Sequence, residues 1–222
     1  MKKFYLMIFS VVTLAGMLAV SGISNAAFGQ TGYLNGHGYV DLGLPSGTLW
    51  ATCNIGSDTP EGYGDYFAWG ETSAKEKYRW ETYKYYDGSN LTKYTDSDYL
   101  VILTPSDDAA TANWGVGWRM PTKEEMSELY NNCTHEKTTQ NGVKGRLFTG
   151  PNGNSIFLPA TGYRIYINLN DAGSSGNYWS SSLDTDDTER SWYLFFPKGY
   201  SVVTDFYRYL GMSVRAVCQS QN

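Results

Sequence analysis

Histidine is scarce in this chain, which contains two, His37 and His135. His37 lies in a glycine-rich stretch near the N-terminus, and His135 follows a predicted helix. Neither belongs to a His-x-x-x-His pair, and the sequence has no Gly-x-Ser-x-Gly elbow or phosphate-binding glycine loop. An enzyme needs nucleophiles, bases or metal ligands gathered in one place. We therefore expect a protein with no catalytic residues and no resident metal.

Cysteine and clustered positive charge are also limited. Three cysteines, Cys53, Cys133 and Cys218, lie far apart, and their spacing fits no zinc pattern. In an exported protein they permit one disulfide and one remaining thiol, but the spacing leaves the pair open. The chain has 17 basic against 22 acidic residues and no basic cluster. This balance argues against a nucleic-acid partner.

The first 26 residues have the pattern of a secretory signal peptide. Two lysines precede the apolar residues 4–20, and Ser24-Asn25-Ala26 offers small residues for cleavage. A membrane anchor is the weaker alternative, because the apolar stretch is shorter than the roughly 20 residues that span a bilayer. We expect export to the periplasm, the cell surface or the outside, with no transmembrane segment left after cleavage.

One helix is clearly predicted over residues 122–133. Thr122 and Glu125 have the spacing of a capping box, and Pro121 keeps the preceding chain out of the helix. An apolar face follows at helical spacing, formed by Met126, Leu129, Tyr130 and Cys133. A second, short helix is predicted from Ser106 to Ala112.

The rest of the chain predicts short strands joined by turns and long loops. Residues 27–37 are interpreted as a linker and residues 38–222 as a single α+β domain. In the last strand, Met212, Val214 and Ala216 alternate with polar residues, which predicts one buried face. The predicted strands are residues 39–42, 48–53, 64–70, 145–149, 154–158, 177–182, 190–196, 200–205 and 212–217.

Six motifs occur in a fixed order and together span most of residues 38–218. They are Gly43-Leu44-Pro45-Ser46-Gly47-Thr48-Leu49-Trp50-Ala51, Asp65-Tyr66-Phe67-Ala68-Trp69-Gly70-Glu71, Trp118-Arg119-Met120-Pro121-Thr122, Ile156-Phe157-Leu158-Pro159-Ala160-Thr161-Gly162-Tyr163-Arg164, Gly176-Asn177-Tyr178-Trp179-Ser180-Ser181-Ser182 and Ser213-Val214-Arg215.

On these motifs the chain resembles the Fibrobacter succinogenes major paralogous domain family, which is frequent in secreted proteins of gut Bacteroidetes. The resemblance implies a C-type-lectin-like fold, in the branch shared with formylglycine-generating enzymes and retroelement-diversified receptors. In that branch the helix that follows the Trp-Arg-x-Pro-Thr motif is an early helix, and the terminal strands close the domain. Iron-dependent relatives need a histidine triad and formylglycine-generating relatives a late cysteine pair, and this sequence supplies neither. The Glu-Pro-Asn motif of calcium-dependent sugar binding is also absent.

Several polar and aromatic groups have structural interpretations. The tryptophans of the motif regions are expected in the core, and three arginines are expected to pair with acids. Two acidic runs have oxygen groups suited to calcium, but neither follows the twelve-position loop spacing, so solvated loops are the favoured interpretation. These sets are Trp50, Trp69, Trp114, Trp118 and Trp179; Arg119, Arg164 and Arg215; Asp87, Ser89, Asn90, Asp96 and Asp98; and Asp184, Asp186, Asp187 and Glu189.

Aromatic residues make up 16% of the chain, and a minority are expected to line a binding surface. One candidate group, Tyr83, Tyr85 and Tyr86, lies in a long aromatic loop over residues 71–100. The other lies in the late segment that carries the ligand face of the diversified receptors: Trp192, Tyr200, Tyr207 and Tyr209, with Phe206 beside them. We therefore expect a non-catalytic module that binds a glycan or a surface protein. The alternatives are a metal- or thiol-dependent enzyme of the same fold branch and a structural subunit of a surface assembly.

Overall fold

A four-stranded sheet joins the two ends of the described chain. The computed structural model describes residues 31–219, so the predicted signal peptide lies outside the described residues. The sheet has the order β1-β2-β3-β12, and every pairing within it is antiparallel. Its strands are β1 (Gly32–Leu34), β2 (His37–Asp41), β3 (Thr48–Ala51) and β12 (Val217–Gln219).

Two three-stranded antiparallel sheets and one small hairpin form the rest of the β structure of residues 31–219. The second sheet has the order β11-β10-β9, the third β4-β5-β6, and β7 pairs with β8 alone. The bounds are β4 (Thr134–Gln140), β5 (Val143–Thr149), β6 (Ser155–Pro159), β7 (Tyr163–Ile165), β8 (Asn168–Asn170), β9 (Gly176–Leu183), β10 (Arg190–Phe196) and β11 (Val202–Tyr207).

The capping box predicted at Thr122 is confirmed in α2 (Lys123–Asn132). The Thr122 hydroxyl accepts the Glu125 amide at 3.2 Å, and the Glu125 carboxylate accepts the Thr122 amide at 2.9 Å. Met126 and Leu129 are buried, and α2 packs against β9, β10 and β11. The mixed α+β class is therefore confirmed, with mostly antiparallel strands and two α-helices among residues 31–219.

The short helix that precedes α2 in the chain, α1 (Ala109–Trp114), begins later than the sequence predicts. Its N-cap is Asp108 and not Ser106, because the Asp108 carboxylate accepts the Ala110 and Thr111 amides at 2.8 and 3.0 Å. Residues Pro105–Asp107 form a separate 3-10 turn ahead of it. The adjacent carboxylates therefore have different roles: Asp108 caps α1, whereas Asp107 pairs with Lys84 and Lys93.

The five motif-region tryptophans are buried, which confirms their assignment to the core. Trp69 and Trp179 are fully enclosed, and their indole nitrogens donate to the carbonyls of Ser180 and Phe67, both at 2.9 Å. These two bonds tie the Trp69 segment to β9. A second core cluster lies under α2 and includes Trp50.

Two predictions at the ends of the domain are wrong. Residues 32–37 are not linker, because β1 and β2 pair as a hairpin. His37 stacks on Trp114 with ring centroids 3.9 Å apart. The segment 212–217 is not a one-sided strand: it is buried on both faces, with isolated bridges at Met212 and Ser213.

The remaining differences concern strands and thiols. Residues 64–70 contribute a single bridge, Phe67 to Met212, in place of a strand, and β4 was not predicted. The hairpin of β5 and β6 and the strand β10 are confirmed.

Cys53, Cys133 and Cys218 are all free thiols, so the permitted disulfide is not formed. No helix within residues 31–219 is both long and apolar enough to cross a bilayer.

Candidate functional site

A fully buried arginine organises the long aromatic loop. Arg208 donates from Nε to the Tyr83 hydroxyl at 2.9 Å, and its terminal nitrogens donate to the carbonyls of Lys93, Tyr94 and Thr188 at 2.8–3.0 Å. Its guanidinium also lies 4.9 Å from the Trp69 ring centre. Residues about 115 positions away from Arg208 in sequence are thereby fixed against β11.

Two of the predicted ligand-binding tyrosines are buried, so their place on the binding surface needs correction. Tyr83 and Tyr85 are 3% and 6% exposed. Their hydroxyls donate to the carbonyls of Trp69 and Gly70 at 2.7 and 3.3 Å. Burial raises the pKa of both phenols above the ordinary value, so both remain protonated hydrogen-bond donors. Their ring faces pack against protein and are closed to a ligand.

Asp107 collects positive charge on the same loop. Lys84 and Lys93 contact its two oxygens at 3.0 and 2.5 Å, and Tyr94 donates to it at 2.8 Å. Burial acts to raise the pKa of this carboxyl, but the hydrogen bonds from Lys93, the two tyrosines Tyr85 and Tyr94, and Lys84 outweigh it. The pKa is therefore well below the ordinary aspartate value. This cluster holds residues 84–107 together.

Trp80 is the centre of a partly exposed group of aromatic rings, which we call the Trp80 platform. It comprises Trp80, Tyr86, Tyr207 and Tyr209. The Trp80 ring centre lies 4.9 Å from Tyr209, 5.4 Å from Tyr86 and 6.3 Å from Tyr207. Tyr207 and Tyr209 stack at 5.8 Å. The platform thus unites one member of the early candidate group with two of the late group.

Charged side chains lie at the edge of the Trp80 platform. The Arg190 guanidinium lies 4.9 Å from the Tyr207 ring centre and bonds the Asp205 carboxylate at 2.9 Å. Asp187 contacts the same guanidinium at 3.2 Å. Glu81, on the 3-10 turn Trp80–Thr82, pairs with Arg79 at 3.4 Å. Apolar ring faces and fixed hydrogen-bonding groups therefore adjoin one another.

Trp192 and Tyr200 lie outside the platform. Trp192 is half-buried beside α2, where the Lys123 ammonium lies 4.7 Å from its ring centre. Tyr200 is 59% exposed in the turn between β10 and β11 and has Phe195 as its ring neighbour at 6.2 Å. Phe206 points to the other side of β11, where it meets Tyr163 and Tyr193.

Trp80, Arg190 and Asp205 are site residues that the sequence did not single out. Trp80 lies among the tyrosines of the predicted aromatic loop, so its ring type and position were a sequence signal for a binding residue. Its place at the centre of the platform depends on contact with Tyr207 of β11, which the sequence does not show. Arg190 and Asp205 face each other because β10 and β11 pair with Trp192 opposite Asp205 and Arg190 opposite Tyr207.

The two acidic runs form local turns. Asp87 accepts the amides of Ser89 and Asn90, and Asp98 accepts those of Tyr94, Thr95 and Leu100. In the second run, Asp184 accepts the Asp186 amide and Asp187 pairs with Arg190. Among residues 31–219, no group of three or more His, Cys, Asp or Glu side chains is placed to hold a metal ion.

The histidines and cysteines are dispersed through the fold. His135 on β4 lies between the Tyr130 and Phe148 rings, and His37 lies on β2, in a different sheet. Burial raises the pKa of Cys133 and of Cys218 to about 11, so both thiols are protonated at neutral pH.

No protein-family model, curated protein or solved structure matches this chain.

Proposed function

We propose that this protein is an exported, non-catalytic binding module of the major paralogous domain family, with a C-type-lectin-like fold, and that the Trp80 platform binds a glycan. The pairing of β3 with β12 supports the fold assignment, because the resemblance implies that terminal strands close the domain. The position of α2 directly after the Trp118–Thr122 motif supports it as well.

The observation that carries the binding function is the convergence of three partly exposed tyrosine rings on the partly exposed Trp80. A sugar ring presents C–H groups on its faces and hydroxyls at its edge, so it matches aromatic faces bordered by charged hydrogen-bonding groups. The platform offers both, since Arg190 and Asp205 adjoin Tyr207. A protein ligand is the alternative use of the same rings.

The rings are also held in place before a ligand arrives. The Trp80 turn is followed by Tyr83, which bonds Arg208, and Tyr209 follows Arg208 directly in the chain. One buried guanidinium therefore positions both sides of the platform. Pre-ordered rings lose little conformational entropy on binding, which favours affinity.

A glycan array probed with the mature protein tests this proposal, followed by calorimetry on the best ligand. We expect Trp80→Ala to weaken binding by about 10-fold or more, as for a central aromatic contact. Tyr33→Ala is the matched control, because Tyr33 is an exposed ring on β1 with 67% exposure. Thermal melts of both variants check that the fold is retained.

The results divide the alternatives sharply. Equal affinity of wild type and Trp80→Ala for the ligand would remove the platform from the binding site. An empty array together with an empty pull-down from a surface-protein extract would contradict the binding function itself. Capture of a protein that Trp80→Ala no longer binds would replace the glycan by a protein ligand.

A further inference from the structure

A second feature, independent of the proposed glycan site, lies on the sheet of β4, β5 and β6. The register pairs Lys137 with Arg146 and Thr139 with Lys144. Directly paired residues of antiparallel strands share a face, so Lys137, Lys144 and Arg146 lie on one face of this sheet. Glu136 pairs with Leu147 and lies on the opposite face. Pairing therefore separates positive from negative charge here.

This positive face borders a cleft of about 440 Å³. The cleft lies between the β4–β5 hairpin and the end of β10, where Phe196 and Lys198 form the facing wall. Four of its lining residues are cationic: Lys137, Lys144, Arg146 and Lys198. None of the lining residues identified in the described chain is Asp or Glu. The concentration of cations is notable in a chain of formal net charge −5.

Arg146 is the buried member of this group, with 5% exposure. One terminal nitrogen lies 3.1 Å from His135 Nδ1, and the other donates to the carbonyls of Tyr200 and Pro197 at 2.8 and 3.3 Å. Its Nε is buried and has no hydrogen-bond partner among the residues that the structure describes. Within residues 31–219, no carboxylate lies within 4 Å of the Arg146 guanidinium, nor of the three cleft lysines.

The other buried arginines show what is unusual about Arg146. Arg208 and Arg215 also have no carboxylate partner in the described part of the chain, but each donates four hydrogen bonds that involve Nε and both terminal nitrogens. Neither lines the cleft. Arg146 therefore combines an incompletely bonded, buried charge with a position at an open cavity.

The surroundings of Arg146 keep its guanidinium charged but do not supply a negative charge to balance it. Burial, and secondarily the Arg146 charge, lower the pKa of His135, so this imidazole is neutral at physiological pH and accepts from the guanidinium. Arginine stays charged even where burial lowers its pKa. Neutral dipoles then solvate the charge without balancing it, and three nearby lysines add repulsion. An anion in the cleft would relieve both costs.

We propose that this cleft binds an oxyanion, a sulfate, phosphate or carboxylate group, carried by a small ligand such as an acidic sugar. Lys137, Lys144 and Lys198 supply mobile ammonium donors at the rim, and Arg146 supplies a fixed charge at the wall. The volume lies in the range of small-molecule sites and suits a sugar of one or two rings. Phe196 is 2% exposed, and its ring centre lies 5.7 Å from the Arg146 guanidinium, so it closes the wall of the cleft beside Arg146.

Calorimetry and thermal melts at constant ionic strength test the proposal with four probes: sodium sulfate, sodium glucuronate, a heparin-derived sulfated disaccharide and uncharged lactose. We expect the anionic probes to bind and to raise the melting temperature of the wild type more than that of a variant without the rim charges, because sulfate also stabilises proteins non-specifically. We expect lactose to do neither at this cleft. Binding of sulfate alone identifies a free anion as the ligand, and tighter binding of the disaccharide or glucuronate identifies an acidic sugar.

The variant Lys137→Gln/Lys144→Gln removes two charges from solvent-facing strand positions and leaves the buried Arg146 in place. We expect it to weaken anion binding by about 10-fold or more. Lys77→Gln is the control, because Lys77 is an exposed lysine outside the cleft. Absence of binding by all three anionic probes, or equal anion affinity of the double variant and wild type, would overturn the proposal. Neither outcome bears on Trp80.

Discussion

Replacing Arg208 by methionine should loosen the aromatic loop without touching the exposed rings. The change removes four hydrogen bonds and leaves the buried carbonyl of Tyr94 and the partly buried carbonyls of Lys93 and Thr188 without this donor. Each such group costs about 1–3 kcal/mol. Removing a buried, unpaired charge and adding apolar volume offset part of that sum. We expect the free energy of unfolding to fall by about 3–4 kcal/mol.

Urea denaturation of the purified mature domain measures this loss. Limited proteolysis should show where it acts, because residues 84–104 lose their attachment to β11 and should become the first cleavage sites. Arg208→Lys should lie between wild type and methionine, since an ammonium retains the charge but reaches fewer carbonyls. Glycan affinity should fall with Arg208→Met through the position of Trp80.

Arg164→Met is the control for losing a charge stacked on an aromatic ring. Arg164 is half-buried and lies 5.0 Å from the Tyr66 ring centre, but its side chain makes no hydrogen bond to a buried carbonyl in the described chain. We expect a loss of about 1 kcal/mol or less. A loss below about 1 kcal/mol for Arg208→Met, or equal effects of the two variants, would refute the reasoning.

Two further predictions concern titration and thiol chemistry. Asp107 has a lowered pKa in the folded state, so its stabilisation is present above the unfolded value of about 3.9 and is lost as pH falls below it; Asp107→Asn should flatten the acid limb of stability against pH in urea titrations. An unchanged acid limb would contradict the Lys93 and Lys84 pairing. Native protein should react with a thiol reagent at the half-exposed Cys53 first, while the buried Cys133 and Cys218 react only on unfolding. Fewer than three thiols in the unfolded, non-reduced protein would show a disulfide instead.

The elements that sequence reasoning located well are those whose cause is local. The helix α2 follows from a cap, a proline and an apolar spacing within twelve residues. The β5–β6 hairpin follows from Gly150 to Gly153, whose turn is closed by the Gly150 amide bonding the Asn154 carbonyl at 2.8 Å. The burial of the motif tryptophans follows from their size and apolar surface. None of these needs knowledge of a distant segment.

The missed elements have weak local signals. The strand β4 has the sequence Thr-His-Glu-Lys-Thr-Thr-Gln, which is polar on both faces because it is an edge strand. The segment 212–217 alternates in hydrophobicity, but Arg215 is fully buried through bonds to Asn54 and three carbonyls. A buried arginine satisfied by carbonyls is indistinguishable in sequence from a solvated one.

The candidate site shows the same division at the level of single rings. Tyr83, Tyr85 and Tyr86 are equivalent by composition and neighbours. Their exposure differs because Arg208 and the Trp69 carbonyl draw Tyr83 inward, while Tyr86 remains against Trp80 at the surface. The burial of Tyr83 therefore depends on a partner 125 residues away in the chain, which its neighbouring residues do not reveal.

The amino-acid sequence by itself determined the helix, its cap, the hairpin turn and the apolar core of this α+β domain, because those depend on covalent geometry and near neighbours. Only the tertiary structure decided that Trp80, Tyr86, Tyr207 and Tyr209 share one surface, and that Lys137, Lys144 and Arg146 share another. Cross-strand register and buried guanidinium bonds bring these side chains together, and both depend on contacts between segments that the chain order keeps apart.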